Sequence, residues 1–81
     1  MPKALVCITT DMDSADDVLK RLKTCEGVEE AFRVHGVYDI IAKIKGDSGD
    51  KLKRVLTDKI LGLEKIQKTL TMMIAEPEYS P

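Results

Sequence analysis

An α+β domain, with four antiparallel strands in one sheet and two helices on one of its faces, is what the sequence predicts. Three observations carry that expectation. Segments of period two and period 3.6 succeed one another in the order strand, helix, strand, strand, helix, strand. The two halves echo each other: Leu19-Lys20-Arg21-Leu22 followed by Gly27-Val28-Glu29 returns as Leu52-Lys53-Arg54-Val55 followed by Gly62-Leu63-Glu64. Eighty-one residues suffice for one such unit, so residues 1–81 are read as a single domain with a structured core at about residues 3–76. Two right-handed split βαβ units interleaved in this way give the ferredoxin-like βαββαβ fold.

Ala4 to Thr10 is too short for an ordinary helix, rich in β-branched residues and apolar at both parities, as a strand covered on both faces would be. Asp11-Met12-Asp13 forms a turn. Ser14-Ala15-Asp16-Asp17 reads as a capping box, with Asp for the usual Glu, which sets acidic groups where a helix's free N–H groups attract them. Ala15, Val18, Leu19 and Leu22 then share one stripe, Lys20, Arg21 and Lys23 complement the carbonyl end, and Gly27 is the expected C-cap. Val28, Glu30, Phe32 and Val34 alternate with Glu29, Ala31 and Arg33, a strand with one apolar and one more polar face. A hairpin tip at His35 to Asp39 leads into a return strand, Asp39 to Lys45, with Ile40, Ala42 and Ile44 on one side and Ile41 and Lys43 on the other. Beyond the loop Gly46-Asp47-Ser48-Gly49, a second helix presents Leu52, Val55, Leu56 and Ile60 inward, capped by Ser48 or Asp50 and closed by Gly62. The last strand, about Ile66 to Ala75, sets Ile66, Leu70, Met72 and Ile74, with Lys68, against a mixed face of Gln67, Thr69, Thr71 and Met73. Pro77 and Pro81 bracket a short tail with no assigned structure.

With both helices on one face, the other face has no cover. Leu5, Cys7, Ala31, Ile41 and Met73 are expected there. An apolar patch on the order of several hundred Å2 usually marks an interface, and at roughly 25 cal/mol per Å2 leaving it wet would forfeit much of a small domain's stability. A homodimer with sheet packed on sheet follows. Thirteen basic and fourteen acidic residues give a net charge of -1 with no Lys/Arg block to track a phosphate backbone, so direct DNA binding is not expected. No stretch approaches the roughly 20 apolar residues of a membrane span, and Met1-Pro2-Lys3 runs straight into the first strand without the pattern of a signal peptide. Cys7 and Cys25 lack both ligand spacing and a disulfide pattern; they read as reduced packing residues of a cytoplasmic protein. With a single histidine, His35, and no cofactor fingerprint, neither a metal nor a cofactor is expected.

The tetrapeptide Gly36-Val37-Tyr38-Asp39 gathers exposed backbone amides, an aromatic ring and a carboxylate at one hairpin tip, where a small polar ligand could be gripped. Gly36 can turn with φ > 0 and approach a ligand closely, exposing the N–H groups of Val37 and Tyr38. No nucleophile has an adjacent base in this pattern, so the chain does not read as an enzyme; small dimeric α+β barrel enzymes place a His, Asp or Arg in an apolar chamber, and the histidine here sits beside a loop tip.

Gly27-Val28, then Val34-x-Gly36-x-Tyr38-Asp39, then Gly62-Leu63 and the strand Thr69-x-Thr71 resemble the effector-binding (RAM) domain of the Lrp/AsnC, or feast/famine, transcriptional regulators, over about Lys3 to Glu76. Those regulators carry an N-terminal helix-turn-helix, whereas this chain begins at the first effector-domain strand, which resembles the stand-alone version without a DNA-binding domain. The resemblance implies a homodimer that assembles into a ring of dimers, an octamer or decamer, with a small amino acid bound in clefts between dimers and Gly36 to Asp39 lining the cleft. It matches Thr69 and Thr71 to last-strand threonines that would add hydroxyls. In such a site the amides of Val37 and Tyr38 would face the ligand's carboxylate, and Asp39 would serve its ammonium, either directly or by fixing the loop. Gene regulation would then be indirect, through sensing or through assembly with a full-length relative. A structural partner subunit with no ligand of its own is the alternative.

Overall fold

The computed structural model describes residues 2–75; Met1 and residues 76–81, including Glu76 and the tail bracketed by Pro77 and Pro81, lie outside the described residues. The elements are β1 (Lys3–Thr10), α1 (Ala15–Lys23), β2 (Val28–Arg33), β3 (Ile40–Lys45), α2 (Gly49–Arg54) with a π-helical continuation (Val55–Ile60), and β4 (Ile66–Met73). The strands form one antiparallel sheet in the order β2-β3-β1-β4, the ferredoxin-like arrangement. Crossing by a helix after β1 and again after β3 leaves β1 and β3 central, and β2 and β4 as edges.

The core forms because the residues of matching parity on the two central strands all meet the helices. Ala4, Val6 and Ile8 of β1 and Ile40, Ala42 and Ile44 of β3 are buried against Ala15, Val18 and Leu22 of α1 and against Leu52 and Ile60 of the second helical segment. The stripe read from the helical spacing is the stripe that packs.

The edge strands depart from simple alternation, each at one bulge. In β2 the ladder shifts between Val28, opposite Ile44, and Glu30, opposite Lys43. Val28 therefore packs on the core, yet Ala31, opposite Ala42, is buried on the helix side and Phe32, opposite Ile41, points to the other face with 48% exposure. In β4 the shift falls between Thr10, opposite Ile66, and Thr9, opposite Lys68. Ile66 joins the core, Leu70 and Met72 turn away from it, and Met73 lies opposite Ala4 on the helix side. Ala31 and Met73 thus do not belong to the uncovered face, as the sequence pattern had them. The extra residue of a bulge reverses the parity of everything after it, and a period-two reading assumes an unbroken ladder.

The corrected face is more continuous than the expected one. Phe32, Ile41, Cys7 and Leu70 are successive cross-strand partners and form a single apolar row over all four strands. Leu5 and Met72, partners in the next row, extend it. Leu70 is 46% and Met72 44% exposed, so the row is open on its outer side.

Both helix starts were legible, but only one caps as expected. Ser48 has extended backbone angles and its Oγ accepts from the Lys51 N–H at 3.2 Å, which settles the choice between Ser48 and Asp50. Ser14 has near-helical angles, φ -106 and ψ -4, and makes no side-chain cap; its hydroxyl donates instead to the Met12 carbonyl at 3.4 Å. A cap needs the extended region to swing its oxygen over the first turn, and Asp13 just before it, at φ 62, turns the chain so that Ser14 enters already coiled.

Helix ends also differ from expectation. α1 stops at Lys23 with Thr24 as its cap, so Gly27 is not a C-cap. It is the turn into β2, at φ +93, and a methyl group there would lie 2.7 Å from Val55 Cγ2. The second helix widens to π geometry from Val55, and the Leu61 N–H reaches Leu56 O at 2.9 Å, five residues back. Gly62 follows after this segment has ended at Ile60. Gly27→Ala combines a left-handed backbone with a collision against a packed side chain, and should lower unfolding free energy by about 1–3 kcal/mol. Urea denaturation of the variant beside the parent checks this.

Candidate functional site

The connection between β2 and β3 is a six-residue loop, Val34 to Asp39, rather than a two-residue turn. The Val34 N–H closes it by donating to the Asp39 carbonyl at 2.9 Å. Gly36 sits at its tip with φ +138, and a Cβ there would meet nothing within 4 Å. Glycine is required by the dihedral alone, not by crowding. Val37 is 79% exposed, His35 is exposed, and Tyr38 and Asp39 are half-buried.

Asp39 is the anchor of this loop. Its N–H donates to Ile8 O at 2.9 Å. Its Oδ2 accepts from the Thr10 N–H at 2.9 Å and from the Thr10 hydroxyl at 3.2 Å. Three bonds therefore clamp the end of the loop to the end of β1. Of the two roles read for this carboxylate, fixing the loop is filled by Oδ2, while Oδ1 accepts from no protein donor among the described residues.

Beside the clamp lies an open cavity of about 490 Å3, lined by Thr10, Asp11, Asp16, Arg33, Asp39 and Gln67 among others. Arg33 Nη1 meets Asp16 Oδ1 at 3.0 Å across it, joining the end of β2 to the first turn of α1. The wall thus offers carboxylate acceptors together with guanidinium and amide donors, the complement that a zwitterion requires. Both members of the Arg33–Asp16 pair are solvated, so the pair positions more than it stabilises.

Thr69 and Thr71 lie opposite Ile8 and Val6 on the helix side of the sheet. Neither lines this cavity; Thr71 borders a separate apolar groove of about 300 Å3 with Leu52, Leu56 and Met73. One protomer does not bring the two threonines to the Gly36 to Asp39 loop. Conversely, Thr10, Arg33 and Gln67 are at the cavity and were missed from sequence. The signal that could have found Thr10 was strand register, because pairing Ile8 with Ile40 brings Thr10 beside the residues just before Ile40.

At the far end of the sheet, Lys3 Nζ lies 2.9 Å from Glu29. The hydrogen bond from Lys3 holds the Glu29 carboxyl below its ordinary range, against an opposing desolvation. This contribution is present above the ordinary carboxylate pKa and is lost as pH falls through the lowered value.

The domain is thus a ferredoxin-like unit with a glycine-tipped loop whose anchoring carboxylate, Asp39, lines a polar cavity. The model of the Lrp/AsnC ligand binding domain matches residues 3–79, and the chain belongs to that family of transcription regulators. The HTH-type transcriptional regulator YugG of Bacillus subtilis is 32% identical over 59 residues, which are 73% of this chain and 36% of YugG. The chain therefore spans about a third of that relative's length. Hypothetical protein PHS023 from Pyrococcus horikoshii superposes with a TM-score of 0.88 at 31% identity, over 96% of this chain and 94% of that one. E. coli AsnC superposes with a TM-score of 0.86 at 26% identity, over 99% of this chain and 54% of that one. No helix among the described residues is long and apolar enough to cross a membrane.

Removing the Asp39 carboxylate leaves a part-buried Thr10 N–H without its acceptor. Asp39→Ala should lower stability by about 1–3 kcal/mol, and Asp39→Asn, which keeps one acceptor oxygen, by less. Thermal denaturation of the two variants at one protein concentration gives the comparison.

Proposed function

We propose that this domain is a sensor of a small amino acid, a non-catalytic cytoplasmic module that acts in transcription regulation through its assembly state. The observation that carries the reading is the clamped carboxylate of Asp39, the one residue of the Gly36 to Asp39 loop that lines the cavity, in a wall with both donors and acceptors. The Val37 and Tyr38 amides would take the ligand's carboxylate, and the free oxygen of Asp39 its ammonium. The family supports a ligand-binding role. The Neisseria meningitidis transcriptional regulator NMB0573, a neighbour in fold at 12% identity, forms an L-Met complex, which fits the ligand class.

Assembly is part of the proposal. The apolar row Phe32, Ile41, Cys7 and Leu70 lies on the face without helices, and a second copy related by a two-fold axis would cover it. Dimers would assemble further into a ring, and Thr69 and Thr71 would enter a binding cleft from a neighbouring copy. The module would act alone or with a full-length Lrp/AsnC regulator, with no contact to DNA proposed for the domain itself. A second reading, a ligand-free structural subunit, is favoured by one observation: Asp39 Oδ2 is already occupied by Thr10.

Two measurements separate these readings. Among the twenty amino acids tested one at a time by thermal shift, one or more at 100 times its Kd should add about 2.7 kcal/mol of stability, and Asp39→Asn should lose that shift while remaining dimeric. Silence from all twenty in an assembled protein would leave the scaffold. For the interface, light scattering over a dilution series should show a dimer or larger species, and Phe32→Glu should move it toward monomer; a parent protein that is monomeric throughout would sink the burial argument.

A further inference from the structure

We infer that Thr10 is the positioning residue of the binding loop: it fixes which oxygen of Asp39 is left for a ligand. The inference rests on the proposed amino acid site and adds to it a residue outside the loop. Thr10 is nearly fully buried, at 6% exposure, at the last position of β1, and Asp39 is far from it in sequence. Both of its donors, N–H and hydroxyl, converge on the same carboxylate oxygen, at 2.9 and 3.2 Å.

Two donors on one oxygen do what a single one cannot. One hydrogen bond leaves a carboxylate free to swing about it, whereas two from a fixed backbone atom and its own side chain define the carboxylate plane. Asp39's N–H bond to Ile8 O holds the main chain of the same residue, so neither end of the side chain is free. The second oxygen is thereby pre-set rather than recruited, and a cation arriving in the cavity need not pay to order it. The hydroxyl is the separable part of this device. A valine at position 10 would keep the N–H bond, the shape and the β-propensity, and would lose only the second donor.

The test uses the full chain and whichever of the twenty amino acids stabilises the parent protein most. Binding is measured by isothermal titration calorimetry at a temperature well below every variant's melting point. Thr10→Val should weaken Kd by about fivefold to tenfold, the upper part of the cost of ordering one more side chain on binding. Thr10→Ser, which retains both donors and loses a methyl group, should bind within about twofold of the parent even though it packs less well. Equal binding by Thr10→Val and parent would overturn the inference and leave the site standing. Comparable weakening in Thr10→Ser, or a Thr10→Val that cannot fold while Thr10→Ser binds poorly, would also overturn it, since packing rather than donation would then be at stake. If no amino acid stabilises the parent, the site itself falls, and that result is distinct from the others because it precedes any substitution.

Discussion

Everything in this domain follows from a sheet that has helices on one side only. Four strands and two helices give enough apolar surface for one core, and the parity of each strand decides which residues enter it. The central strands meet that constraint by alternation. The edge strands meet it by breaking alternation once each, so that Val28 and Ile66 reach the core from one end while Phe32, Leu70 and Met72 are delivered to the open face from the other. Without the two bulges, Phe32 would be forced under a helix where Ala31 now fits against Ala42, and the apolar row across the open face would be interrupted at both edges. The bulges therefore shape the core and the free surface together.

The open face cannot be regarded as an accident of composition. Its apolar residues are cross-strand partners of one another, not scattered singles, and charged residues flank the central row, Glu30 and Lys43 on one side and Lys68 on the other. Scattered apolar side chains on a surface are ordinary; a contiguous row spanning a sheet is not. The proposed pairing with a second copy would remove from water the residues whose exposure is otherwise hard to reconcile with a domain of 81 residues.

Much of the architecture was legible because it is written locally. The stripe Ala15, Val18, Leu22, the run Ile40, Ala42, Ile44 and the cap at Ser48 each depend on neighbours within a few positions. What escaped depends on partners far away. A bulge at Val28 is a property of β2 pairing with β3, and in the sequence Val28 to Arg33 its trace is only the charged Glu30 at the parity of Val28 and Phe32. The π geometry begins at Val55, the residue that packs beside the Gly27 turn, a neighbour distant in sequence. At the site, Gly36 announced its positive φ and Asp39 its carboxylate, but Thr10, Arg33 and Gln67 belong to three other segments and join only through the fold. Thr69 and Thr71 share a strand face, and the register sets that face apart from the Gly36 to Asp39 loop of the same protomer.

β1 is where these threads meet. Its residues alternate between two obligations, Ala4, Val6 and Ile8 to the core and Leu5 and Cys7 to the open face, and its last turns of chain take on a third. Ile8 accepts the Asp39 N–H, Thr10 holds the Asp39 carboxylate, and Cys7 lies in the apolar row. The loop that would hold a ligand and the surface that would hold a second copy are thus built on residues within four positions of one another, Cys7 to Thr10, on a single strand. Cys7 and Ile8 are paired on both sides, whereas Thr10 pairs only with Ile66, beyond a bulge, and the Asp39 clamp supplies the bond on its other side. On the reading proposed here, ordering the loop and ordering the interface draw on the same bonds, which is the physical arrangement a sensor that reports through assembly requires.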